Sequence, residues 1–220
     1  MKLLVYNVVV SSALAAAGVF WVPLLRDYCH ATDGQILGVA ALWCAVAAVT
    51  LWLFGRVVDR VGSRPLLALA GVCLILHYGS WGALAAGILP FNLWSILWIQ
   101  STAGVGVAVF NMANTRLAMA TVPEMGRSHF FALFSVVNSL TLGFVPIVWG
   151  VVLDSLENWR AAWGGWEWNQ YTVLYVALVT TIAVAQFLLH RLSEPRAMTT
   201  ETFFPAFRSE ERRVGKECRS

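Results

Sequence analysis

An all-α integral membrane fold with six transmembrane helices is predicted by three observations. Hydrophobic residues make up 59% of the chain and charged residues only 12%, against about 25% charged in soluble domains. The mean hydropathy is +0.68. The apolar residues gather into six stretches, each near the ~20 residues that cross a ~30 Å hydrocarbon core, and the links between them are too short for a soluble domain.

The first span covers about 3–25. Lys2 precedes it, but the run is too long for the apolar core of a signal peptide and ends on Arg26 and Asp27, not on a small-residue cleavage site. Pro23, near its end, is tolerated in a membrane helix. A short link, Arg26 to Gly34, offers Thr32 or Asp33 as the cap of the second span, about 34–56. The third span, about 65–88, opens on Pro65, which suits a first helical turn. After the Leu89-Pro90 turn the fourth span runs over about 91–119, and the fifth over about 129–153. An aromatic link, Asp154 to Gln170, leads into the sixth, about 170–190, and holds Trp159, Trp163, Trp166 and Trp168. These four rings fit an interfacial belt at headgroup level. A carbohydrate-stacking platform is the alternative.

The link between the second and third spans is Gly55-Arg56-Val57-Val58-Asp59-Arg60-Val61-Gly62-Ser63-Arg64-Pro65. Gly-x-x-x-Asp-Arg-x-Gly-x-Arg between two membrane helices resembles the signature loop of the major facilitator superfamily of secondary transporters. Gly55, Asp59, Arg60, Gly62 and Arg64 match, and Ser63 stands where a basic residue is usual. The resemblance implies that residues 1–191 form one six-helix half of such a bundle. It also implies that Asp59 meets a helix N-terminus of the opposite half. The fourth span has Gln100-Ser101-Thr102-Ala103-Gly104 in place of the arginine-led glycine motif of first halves, and the chain ends in a post-helix tail. Both features point to the C-terminal half of a truncated transporter.

Basic residues set the expected topology. With the signature loop inside, Lys2, Arg56, Arg60, Arg64, Arg116, Arg127, Arg191 and Arg196 are cytoplasmic, as are both termini. Arg26 and Arg160 lie outside among Asp27, Asp33, Asp154, Glu157 and Glu167. This asymmetry matches the positive-inside rule, and the expected location is the plasma (inner) membrane. Residues 192–206 form a cytoplasmic tail. The abruptly charged segment 207–220 reads as a disordered or artefactual tail and is set apart from functional reasoning.

Three helical stripes carry polar or small residues at spacings of three and four. They are Asn7, Ser11, Ala15 and Gly18; Gln100, Gly104, Ala108, Asn111 and Thr115; and Ser135, Ser139, Gly143, Pro146 and Gly150. Close helix packing is the simplest use of such stripes, and it is the use expected of the third. Amide side chains facing lipid are costly, and the resembling family lines its cavity with the first and fourth helices. The resemblance therefore makes Asn7, Ser11, Gln100 and Asn111 the substrate-facing candidates. His77 reads as a packed or interfacial histidine, and Arg116 as a side chain reaching for the interface.

No Asp or Glu sits near the middle of any span, and there is no nucleophile elbow, paired carboxylate site or metal-spaced histidine cluster. Cys44 and Cys73 lie in apolar runs, and no Cys-x-x-Cys occurs. No enzymatic chemistry, metal, cofactor or nucleic acid is expected. The resemblance implies secondary-active transport of a small, neutral or polar organic solute by alternating access. The expected partners are the lipid bilayer, the solute, and the missing six-helix half or a second copy. A half-size transporter acting as a homodimer and a non-transporting membrane subunit are the alternatives.

Overall fold

The computed structural model describes residues 2–55, 62–121, 127–163 and 165–191. Asp59 and Arg60 of the signature loop and residues 192–220 of the tail lie outside the described residues. Six long helices dominate: α1 (Lys2–Pro23), α2 (Asp33–Phe54), α3 (Ser63–Ala85), α4 (Leu93–Thr121), α5 (Arg127–Ser155) and α6 (Gln170–His190). All six are long and apolar enough to cross a membrane, so the chain is an all-α, multi-pass membrane protein.

Local chemistry explains where these helices begin and end. Pro23 does not stop the first span, which continues as a π-helical turn, Leu24–Tyr28, closed by Cys29 N donating to Leu24 O at 3.2 Å. Proline removes a backbone donor, and the wider π register absorbs the loss. The link expected from Arg26 is shorter than the sequence suggests for this reason. Thr32 is the cap of α2. Its Oγ1 accepts from Gln35 N at 3.4 Å, and Gln35 Oε1 accepts from Thr32 N at 2.9 Å, which forms a reciprocal capping box. Gly62 precedes α3 with φ of 92°, a left-handed conformation that favours glycine. The aromatic link holds an antiparallel hairpin, β1 (Ala161–Trp163) with β2 (Trp166–Trp168).

Two side chains clip α3 against α6 in antiparallel register. Asn169 Oδ1 accepts from Tyr171 N and Thr172 N at 3.0 Å, while its Nδ2 donates to Ala85 O at 2.6 Å. One residue thus caps the start of α6 and satisfies a carbonyl at the end of α3. At the other end Arg64 Nη2 donates to His190 O at 3.1 Å in the last turn of α6. A guanidinium on the last carbonyls also suits the negative end of the helix dipole. The signature-loop Arg64 therefore has a visible packing role. The bundle has a basic end, where α1 and α3 start, and a hairpin end, where they finish.

The principal packing contacts follow a rule. α3 packs on α4, α2 on α4, α3 on α6, α1 on α5 and α1 on α6. Exchanging α1 with α4, α2 with α5 and α3 with α6 maps this set onto itself. The slight contact of α5 with α6 is the exception. Because each triplet has three spans, the second enters from the opposite end, so this packing is the pattern that two inverted triplets would give. Glycines permit the approach. A Cβ on Gly104 would lie 2.7 Å from Val46 Cγ1 of α2, and one on Gly106 3.1 Å from Cys73 Cβ of α3.

The helices α2 and α5, which exchange with each other, are the least covered. Only 17% and 6% of their span residues are buried, against at least 39% for the other four. The stripe on α5 expected to pack against a neighbouring helix does not do so among the described residues. Ser135, Ser139 and Gly143 are exposed, and a Cβ on Gly143 or Gly150 would meet nothing within 4 Å. The contact face of α5 carries Val145 and Trp149 instead, because larger apolar side chains bury more area against α1.

Candidate functional site

The hairpin half of the bundle encloses a cleft of about 420 Å³. Ala17, Gly18 and Trp21 of α1 line it, as does Trp43 of α2. Its α3 and α6 lining is aromatic. Trp81 of α3 stacks on Tyr175 of α6 with ring centroids 6.1 Å apart and an interplanar angle of 16°. Gly82 makes room for this pair, since Tyr175 Cβ would sit 3.3 Å from a Cβ placed there. Among the described residues, no Asp, Glu, Lys or Arg lines the cleft.

Gln100 and His77 are polar side chains on this lining, and the Tyr175 hydroxyl is buried beside it. Gln100 of α4 is only 5% exposed and lines the cleft, with no hydrogen bond to any described residue. The Tyr175 hydroxyl is buried and has no hydrogen-bond partner among the described residues. His77 of α3 holds Nδ1 3.0 Å from Ile99 O. A carbonyl only accepts, so this contact puts the proton on Nδ1 of the neutral ring and leaves Nε2 an acceptor. The ring also packs beside Tyr78 and edge-on to Trp81, at 5.1 and 6.3 Å between centroids. His77 is packed, as the sequence suggests, and it also borders the cleft.

The four residues predicted to face substrate are not brought together. Gln100 alone lines the cleft. Asn7 is buried at the basic end, where Asn114 Nδ2 donates to Asn7 Oδ1 at 2.7 Å and Asn7 Nδ2 donates to Asn138 Oδ1 at 3.4 Å. Its amide joins α1 to both α4 and α5. Ser11 is buried one turn further along α1. Asn111 is exposed on α4, and its carbonyl accepts from Thr115 Oγ1 at 2.8 Å. Asp59 and Arg60 lie outside the described residues, while Gly55, Gly62 and Arg64 shape the ends of α2, α3 and α6.

Sequence reasoning missed the aromatic contributors Trp21, Trp43, Trp81 and Tyr175. In helices apolar on every face, ring positions carry no periodic signal. A polar residue within a turn of a ring, as His77 is of Trp81, was the available clue. Outside the spans, burial pushes the Cys29 thiol up to about 11, which keeps it protonated and poorly nucleophilic at neutral pH. Searches against protein-family models and curated proteins find no match, so the cleft must be interpreted from its own geometry.

Proposed function

We propose that this chain is one six-helix half of a facilitator-type secondary transporter, moving a small organic solute by alternating access. The carrying observation is the exchange-related packing of α1–α3 with α4–α6. Nested three-plus-three inverted repeats are the construction of each half of such transporters. The Gly55–Arg64 link supports the same identification through its resemblance to the signature loop. The uncovered faces of α2 and α5 are where a facing half would sit, either a second six-helix unit or a second copy. On this proposal the basic end is cytoplasmic, the hairpin end is outside, and the membrane is the plasma (inner) membrane.

The test is solute flux in proteoliposomes with the mass of the assembly determined. Flux is expected when a facing half is present, supplied as a tandem copy or as a membrane partner recovered with the chain. Flux by a verified monomer refutes the proposal. So does cross-linking in the native membrane that finds α2 and α5 facing lipid alone.

A further inference from the structure

We infer that the cleft between α1, α2, α3, α4 and α6 binds an uncharged, planar aromatic solute bearing both a hydrogen-bond donor and an acceptor, and that this site is complete within one chain. The binding statement stands on the cleft alone. That the bound solute is also the transported one rests on the proposal above.

Size comes first. About 420 Å³ falls within the ~300–1,000 Å³ typical of small-molecule sites. Charge is next. With no Asp, Glu, Lys or Arg among the described residues of the lining, a net charge brought to this depth would meet no counter-charge there, and an unpaired buried charge is costly. An uncharged solute avoids that cost. Shape follows from the walls, because Trp21, Trp43, Trp81 and Tyr175 offer ring faces and edges that favour stacked or edge-on aromatic partners.

The polar groups complete the description. Gln100 is 95% covered yet makes no hydrogen bond to a described residue, and the Tyr175 hydroxyl is buried and likewise unpartnered. Polar groups at membrane depth are normally satisfied within the protein. Gln100 and His77, two polar side chains on one cavity lining, point to a partner that enters it. Gln100 offers a donor and an acceptor, and His77 Nε2 an acceptor. These suffice for a lactam or amide on an aromatic ring. They fall short for a sugar, whose hydroxyls on nearly every carbon each need a partner.

The experiment uses the full chain in lipid nanodiscs with 2-quinolone, a neutral planar lactam that quenches tryptophan emission. N-methylquinolinium serves as its charged isostere, and glucose as the polyhydroxylated comparison. Saturable one-site quenching by 2-quinolone is expected. Gln100→Leu should weaken it by about 2- to 12-fold, the range for one neutral hydrogen bond. Gly18→Phe should abolish the saturable component while the protein stays folded, because a Cβ there meets nothing within 4 Å and the ring can fill the cleft. Equal, unsaturable quenching of native and Gly18→Phe protein would mean partition into lipid and overturn the inference. Tighter binding of N-methylquinolinium or glucose would overturn the assigned class. Unchanged affinity in Gln100→Leu would overturn the polar contacts. Binding of 2-quinolone without flux in any assembly sinks the transport proposal and leaves the site standing. Flux without cleft binding does the reverse.

Discussion

Replacing Gly104 by alanine tests the contact on which the α2–α4 packing rests. The added Cβ would lie 2.7 Å from Val46 Cγ1, 2.8 Å from Val46 Cβ and 3.0 Å from Ala47 N, whereas carbon atoms pack at about 3.5–4.0 Å. The obstacle is backbone and a β-branched side chain stiff at χ1, so α2 must withdraw by about 1 Å as a body. Over-packing of this kind costs about 1–3 kcal/mol. Alanine also regains about 0.8–1.0 kcal/mol of helix propensity over glycine, so the comparison that isolates the clash is Gly143→Ala. That position gains the propensity with nothing within 4 Å. Gly71→Ala should fall between the two. Its Cβ would overlap Gln186 Nε2, the tip of a flexible chain that can swing away at the cost of a 3.4 Å bond to Leu67 O. Reversible unfolding of the purified monomer in mixed micelles, followed by tryptophan emission, should rank Gly143→Ala above Gly71→Ala above Gly104→Ala, with about 1–3 kcal/mol between the extremes. Equal stability of Gly104→Ala and Gly143→Ala would refute the close α2–α4 contact and weaken the repeat packing built on it.

Three further outcomes are expected. Asn7→Leu strands the buried Asn114 amide and should cost about 1–3 kcal/mol, with much of the loss recovered in the Asn7→Leu/Asn114→Leu double variant; a single-variant loss below about 0.5 kcal/mol would show that the amides are not bonded. In a background with the other cysteines changed to serine, alkylation of Cys29 should keep rising about tenfold per pH unit beyond 9, because burial moves its thiol from 9.0 to about 11. The unfolded chain gives up this proton first, so the group lowers stability as pH rises between those values, and a rate that levels near 9 would contradict the burial. Finally, an impermeant maleimide applied to sealed cells should label Glu157→Cys and spare Arg191→Cys until permeabilisation, and the opposite pattern would invert the proposed topology.

What could be read from the sequence was what neighbouring residues decide. Span positions follow from hydropathy, and Thr32 announces its cap through Gln35 three residues on. Gly62 sits where the backbone turns left-handed. What could not be read depends on which helix covers which. Gln100 and Asn111 lie about three turns apart on one face of α4, yet only Gln100 ends under neighbouring helices while Asn111 stays exposed. Asn7 is a cavity candidate through the resemblance and the cost of an amide facing lipid, and in the structure its amide is bonded to Asn114, about a hundred positions away in the chain. Tyr175 and Trp81 become a stacked pair only when α6 lies along α3.

The exchange-related packing gives the placement of these polar groups a consequence. Cys44 of α2 and Asn138 of α5 both lie about three turns into their helices. Gln100 of α4 and Asn7 of α1 lie about one and a half to two turns in. Exchange of the triplets therefore carries the cleft wall on α2 and α4 to the neighbourhood of Asn138 and Asn7, at the opposite end. The sequence fills these related places differently, with aromatic rings and an accessible amide at the hairpin end and a bonded amide triad at the basic end. Symmetry of packing with asymmetry of filling yields a bundle with a cleft in one half and bonded amides in the other. Under the transport proposal, release at the basic end requires the amide links to part. Two neutral hydrogen bonds contribute about 1–3 kcal/mol together, and a gap of a few kcal/mol leaves the alternative state about 0.1–10% populated. A tie of that strength favours one conformation without locking it, which is what an alternating carrier needs from its closed side.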